Sequence, residues 1–259
     1  MGTKQRNHIL FDEDTHTYTN IITGEVYLSS TTFVGKFHEK FDGDRIAQNL
    51  IKTIPRYQEQ YAGVAVEDAI ADLKAQWKRR SDIGTAIHKI LENYFLGLPV
   101  FDESKGEKWN NRIRMLINAY DQLKLQERNE GYEFIPEMLL YNDKFKLAGQ
   151  SDIILLNPTQ KTFKVLDYKT NQKGIDRKAY KDAKMFEPIA HIPDCNFYHY
   201  SLQLSLYAYF LEEESNFQCE SLSLLWINTN NPSSITIEEI PVPRLYDEVH
   251  LMLAMRSSL

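Results

Sequence analysis

The stretch GQSDIILLNPTQKTFKVLDYKT, residues 149 to 170, constrains this chain more than any other. Two apolar, β-branched runs, Ile153 to Leu156 and Phe163 to Leu166, flank an Asn157-Pro158 turn signal, which is the pattern of a β-hairpin. Each run carries an acid at its outer end. Fourteen residues separate Asp152 from Asp167, and side chains alternate with period two, so a loop of even length puts both carboxylates on one face. Lys169 shares that face. Opposed cross-strand positions lie roughly 5 Å apart and diagonal ones about 7–8 Å, a span that one hydrated divalent cation bridges. Two carboxylates at the lip of a buried sheet cost free energy unless a cation offsets them.

The 259 residues are 42% hydrophobic and 25% charged, enough for one sizeable core and one elaborated domain. The opening MGTKQRNHILFDEDTHTY has no apolar leader segment, and no window approaches ~18 uninterrupted apolar residues. Neither a signal peptide nor a membrane span is therefore expected, and the expected location is cytoplasmic. Cys195 and Cys219 are too few for a disulfide framework or a four-cysteine zinc or iron–sulfur site. A formal net charge of −6 does not advertise a nucleic-acid binder, although it averages over local clusters of both signs.

Along the chain, residues 8 to 34 read as a small hairpin, and 39 to 52 as a short helix. Val66 to Lys78 has helical periodicity and ends in Lys78-Arg79-Arg80. Ser81 or Asp82 then offers an N-cap for a new helix, GTAIHKILENYF, with Ile87, Leu91, Tyr94 and Phe95 on its buried face and His88 four residues before Glu92. No second histidine follows at the spacing of a zinc-protease motif. A charged helix spans about Lys105 to Gln126. Three strands follow: Tyr132 to Tyr141 with Glu137, Phe145 to Leu156 with Asp152, and Phe163 to Tyr168 with Asp167. Residues 171 to 198 form a long connection bearing Lys173, Arg177, Lys178, Lys181 and Lys184, and loops of that length are usually functional or disordered. A helix from Tyr200 sets Gln203 beside Tyr207. Strands at Leu222 to Asn228 and Ile235 to Ile240 and a helix from Arg244 to Met255 complete the chain.

Taken in order, these motifs resemble the RecB-like branch of the PD-(D/E)XK, or restriction-endonuclease-like, nuclease superfamily, and the N-terminal stretch with Pro193-Asp194-Cys195-Asn196 before the Gln203 helix resembles, more loosely, small phage and mobile-element exonucleases. Gly84-Thr85 with His88 is similar to that branch's first motif, Gly149 with Asp152 to its second, Asp167-Tyr168-Lys169 to its D-x-K third, and Gln203 with Tyr207 to its trailing Q-x-x-x-Y. Asp167 stands where many members carry Glu. The resemblance implies an α/β fold with a central mixed sheet, flanking helices and an αβββαβ core carrying N-terminal β-hairpin and helical decoration. It implies one nuclease domain over 1–259, with hairpin and helices in 1–80, catalytic core in 81–230 and a last strand and helix in 231–259.

The chemistry of these residues and the resemblance imply Mg²⁺ or Mn²⁺ held by Asp152, Asp167, the Tyr168 backbone carbonyl and a neutral His88 nitrogen, with Glu137 a candidate for a second ion. No iron–sulfur cluster is expected. Lys169 would orient or deprotonate the attacking water and offset charge on the phosphorane-like transition state. Gln203 and Tyr207 are expected in the catalytic set, near the nucleic-acid backbone or behind Lys169. Lys78, Arg79, Arg80, Lys173, Arg177, Lys178 and Lys181 form the expected phosphate-contacting track. The implied activity is metal-dependent hydrolysis of DNA, single- or double-stranded, by an exonuclease of recombination, repair or phage replication. Alternatives are a structure-specific or restriction-type endonuclease, or a non-catalytic nucleic-acid-binding subunit that keeps the fold. A homo-oligomer or a recombination partner protein is compatible with the sequence, and a membrane is not an expected partner.

Overall fold

The β-branched and aromatic runs pair into one mixed sheet of nine strands, seen in a computed structural model that describes residues 3–257. In chain order the elements are β1 (Thr3–Arg6), β2 (Ile9–Asp12), β3 (Thr17–Asn20), β4 (Val26–Ser29), α1 (Ser30–Val34), α2 (Gly43–Thr53), α3 (Pro55–Gln60) and α4 (Val66–Phe95). They continue with α5 (Glu107–Leu123), α6 (Leu125–Asn129), β5 (Glu133–Asn142), β6 (Leu147–Asn157), β7 (Thr162–Lys169), α7 (Asn196–Glu214), β8 (Gln218–Asn228), β9 (Thr236–Pro241) and α8 (Tyr246–Ser257). The expected α/β class and the helix, three strands, helix, strand order are both present. No described helix is long and apolar enough to cross a membrane.

Two compact units divide the chain: Lys40–Lys89, and Met1–Glu39 with Ile90–Leu259. The first is helical, closed on a small core of Ala47, Tyr61, Ala69 and Leu73. The second contains the sheet. Its strands run β1-β2-β3-β4-β6-β7-β8-β9, with β5 also paired to β6. One face carries the main core, where Leu140, Ile154, Phe163 and Val165 meet Leu202, Leu206 and Phe210 of α7 and Met252 of α8. Tyr168 packs edge-on to Tyr120 of α5, so α5 covers the other face. A separate cluster of Ile9, Phe11, Tyr18 and Tyr27 seats the N-terminal strands on Leu139, Tyr141 and Ala148.

The β6–β7 hairpin is the one expected. Asn157 pairs with Thr162, leaving a four-residue loop, and Asn157 Oδ1 accepts a hydrogen bond from the Gln160 amide at 3.0 Å, a local side-chain to backbone bond of the kind Asn makes at turns. One edge of β6 is shared by two partners. Parallel β4 takes Leu147 and Ala148, and antiparallel β7 takes Ile153 to Asn157. Gly149 to Asp152 lie between these two ladders.

Three local expectations are corrected. The N-terminal hairpin is a four-stranded meander, and its Ser-Thr-Thr-Phe-Val tail is helix α1 instead of strand, because the Ser29 side chain accepts from the Thr32 amide as an N-cap. The two helices expected around Ser81 are one, α4. Ser81 and Asp82 do not cap there, since the helix runs unbroken through both: Asp82 pairs with Lys78 one turn earlier, and Thr85 Oγ1 bonds back to the Ser81 carbonyl at 3.2 Å. Finally, α7 begins at Asn196, one turn before Tyr200, where Phe197 is already buried.

Candidate active site

Strand register, not chain proximity, assembles the acids. Pro136 pairs with Ile153 and Met138 with Ser151, which leaves Glu137 opposite Asp152. The β6–β7 ladder ends with Ile153 beside Leu166, so Asp152 and Asp167 are the next residues on either strand. Three carboxylates thus form a row across β5, β6 and β7. The row lies where the strands turn over: Leu147 and Ile154, seven residues apart, both enter the α7-side core, whereas strict alternation would send them to opposite faces. Glu137 takes a left-handed backbone, φ 51°, at the same level of β5. Bulge-like irregularities of this kind commonly re-aim side chains beside active sites.

Asp167 is 4% exposed and Asp152 is half-buried. Beyond Leu166, β7 parts from β6 and follows β8, with Asp167 beside Leu224, Tyr168 beside Leu225 and Lys169 beside Trp226. The Tyr168 amide donates to Asp152 Oδ2 at 2.6 Å, so a side chain stands in for the lost ladder bond and ties the two strands at the point where they part. Lys169 Nζ contacts Asp167 Oδ2 and sits 4.3 Å from the ring centroid of Tyr200 on α7. Burial opposes the Lys169 charge, but Asp167 and then Asp152 outweigh it and raise its pKa above the ordinary lysine value.

Gln203 and Tyr207 are neighbours on α7, the Gln203 amide donating to the Tyr207 hydroxyl at 2.9 Å. Tyr207 is 2% exposed, and its phenol pKa is driven well up, chiefly by burial. A Cβ on Gly149 would come within 2.5 Å of the Tyr207 ring and 2.9 Å of Ser30 Oγ. Glycine is needed at 149 because this ring and Ser30 at the start of α1 leave no room for a side chain, while Ser30 Oγ donates to the Ala148 carbonyl at 3.1 Å. Tyr207 thus packs against the strand that carries Asp152, and Asp167 and Asp152 are among the charges that act on its phenol.

Lys4 was not foreseen. Its ammonium lies 2.8 Å from Glu92 Oε1, 3.2 Å from Glu13 Oε1 and 3.5 Å from Glu137 Oε2. Burial again opposes the charge, and Glu92 and Glu137 restore it and raise the pKa. A lysine in a short edge strand carries no signal in sequence that it meets acids so distant in the chain.

His88 belongs to the Lys40–Lys89 unit, half-buried on α4, with Lys78, Arg79 and Arg80 exposed on the same helix. Lys173, Arg177, Lys178 and Lys181 are exposed on the connection from β7 to α7, with Arg177 over the Phe197 ring at 4.5 Å. Asp194 at the end of that connection and His199 in the first turn of α7 meet His38, with donor atoms within 4.8 Å of one another. The two imidazoles stack at 3.8 Å and 13°. Imidazole lone pairs lie in the ring plane, so nearly parallel rings do not converge on one ion. His199 Nε2 lies 2.7 Å from Asp194 Oδ1, and burial, then His38, lowers the His199 pKa.

A family model of the PD-(D/E)XK nuclease superfamily matches residues 56–250. No curated protein sequence matches the chain. Among the solved structures that do, the crystal structure of a "putative exonuclease" from Eubacterium rectale covers 68% of this chain and 67% of its own, at 10% identity and a TM-score of 0.39.

Proposed function

The chain belongs to the PD-(D/E)XK nuclease superfamily, and from that premise we propose that it is a Mg²⁺- or Mn²⁺-dependent deoxyribonuclease that degrades DNA from its ends. The observation that carries the reading is the carboxylate row Glu137, Asp152 and Asp167 on three adjacent strands, with Lys169 on its last member. Hard oxygen donors of this kind suit Mg²⁺ and Mn²⁺. Asp152 and Asp167 would hold the ion, together with the Tyr168 carbonyl and with His88, which the sequence motif nominates as a nitrogen donor. The ion would polarise a phosphodiester oxygen and activate water for attack on phosphorus.

The protein's own part is to hold and to neutralise. The Tyr168 amide fixes the Asp152 carboxylate, so the donor needs little reorganisation when it is used. Lys169, steered by Tyr200 and Asp167, orients the attacking water and offsets charge that builds on the phosphate. A binding module that kept only the fold would have no use for half-buried acids that repel phosphate, and this weighs against the non-catalytic alternative. The role in recombination, repair or phage replication rests on the sequence motifs, as does attack from ends.

End-labelled linear duplex, single strands and closed circular DNA, each with Mg²⁺, Mn²⁺ or EDTA, test the reading. Metal-dependent loss of linear DNA with circles spared is expected, and cleavage of the circles would make it an endonuclease. Asp152→Asn and Asp167→Asn should each abolish cleavage without unfolding the protein, because each removes a ligand and no core volume. Turnover at the wild-type rate in either variant would sink the assignment. Calorimetric Mn²⁺ titration of His88→Ala decides whether that nitrogen takes part.

A further inference from the structure

We propose that Lys4 fills, with its own ammonium, the position beside Glu137 that a second divalent cation would take, and so holds this site to one metal ion. The proposal deepens the metal-dependent reading above and rests on it. Glu13 comes from the β2–β3 turn, Glu92 from the end of α4 and Glu137 from β5, yet all three reach one Nζ within 3.5 Å. Side-chain exposures of 7% for Glu92 and 18% for Glu137 put this meeting partly out of water. There, repulsion between like charges is several times its value in bulk solvent, so acids converge only around a cation.

Lys4 is delivered by backbone pairing. It stands opposite Phe11 in the β1–β2 ladder, and Phe11 is seated in the core that joins these strands to β5 and β6. The acid row therefore has an ammonium at each end, Lys4 at Glu137 and Lys169 at Asp167, with Asp152 between them. Ions in two-metal hydrolases sit about 3.5–4 Å apart. A second ion at Glu137 would meet the Lys4 ammonium at close range, and a lysine fixed there supplies positive charge but takes no water as a ligand.

Calorimetric Mn²⁺ titration of the full chain tests this, with circular dichroism confirming that each variant is folded. One ion per chain is expected for wild type and for Lys4→Arg, two for Lys4→Gln, and one again for Lys4→Gln with Glu137→Gln. Two ions per wild-type chain, or one per folded Lys4→Gln chain, would overturn the inference and leave the metal-dependent reading standing. Should Lys4→Gln fail to fold, Lys4→Met in the same titration takes its place, with two ions expected and one overturning the inference. Wild type that binds no Mn²⁺ at all would remove the metal-dependent reading itself, and the inference with it.

Discussion

At Lys169 two opposing effects meet, burial that disfavours the ammonium and the Asp167 and Asp152 carboxylates that restore it. The ion does not need this side chain, so Lys169→Ala should keep Mn²⁺ and DNA binding. Turnover should fall roughly 10²–10⁴-fold, the range of a general base or a charge-stabilising donor. Single-turnover cleavage and Mn²⁺ affinity measured on one preparation separate the outcomes: affinity lost together with activity would make Lys169 structural. Gly149 is constrained by space, since a methyl there would come within 2.5 Å of the buried Tyr207 ring. Gly149→Ala should cost about 1–3 kcal/mol of stability, as overpacking does, and should lower activity because the displaced strand carries Asp152. Denaturant unfolding with unchanged stability would show that Tyr207 yields freely. Asp152, Asp167 and Lys169 were legible residue by residue, since their spacing and a period of two already put them together. Lys4 and Tyr200 were not, because the contacts they make depend on β1 and α7 meeting strands far along the chain.

Among the elements, the junction of α5 and α6 with β9 hangs on one ammonium. The Lys124 side chain is 0% exposed, 3.2 Å from Glu127 Oε1 and in contact with Glu239 Oε2. Removing it leaves Glu239 without this cation and Glu127 with Lys164 at 3.5 Å, so Lys124→Ala should destabilise by up to about 3–5 kcal/mol, read by chemical denaturation. A loss under about 1 kcal/mol would mean that water reaches the site. Burial raises the Glu127 pKa, but its own backbone amide and Lys124 lower it more, so the folded value falls below the ordinary 4.5. A depressed carboxylate pKa contributes stability above the unfolded value and loses it as pH falls through the folded one. The stability gap between wild type and Glu127→Gln should therefore hold from pH 7 to about 5 and close as pH drops below 4.5. A gap that stayed constant to pH 3 would contradict this. Element types were legible here because long runs of one period declare themselves. The break placed at Ser81 and Asp82 failed because residues that prefer caps are also tolerated in a helix interior, where Asp82 pairs with Lys78 one turn away.

On the scale of the whole molecule, a formal charge of −6 conceals exposed cations at Arg79 and Arg80 on α4 and at Lys178 and Lys181 beyond β7. If these meet phosphate, DNA affinity should fall with salt. Each contact removed from a duplex complex should lessen the slope of log K against log salt by roughly 0.9. Fluorescence anisotropy of Arg79→Ala/Arg80→Ala and Lys178→Ala/Lys181→Ala against wild type, over a salt series, measures that change. An unchanged slope in both variants would show these cations to be a solvated face only.

Sequence alone determined the hairpin of Ile153 to Leu156 and Phe163 to Leu166, the placing of Asp152 and Asp167 at its outer ends and the helix-and-strand order around them. All of these follow from local periodicity and turn chemistry, which act over a few residues. Tertiary structure decided how that hairpin is used. It set β4 and β7 on one edge of β6, turned the strand over at the acid row, packed Tyr207 and Ser30 against Gly149, and brought Lys4 to Glu137 from the far end of the chain. Such contacts depend on which elements pack together, and packing is settled by the burial of whole faces, to which no single stretch of sequence has access.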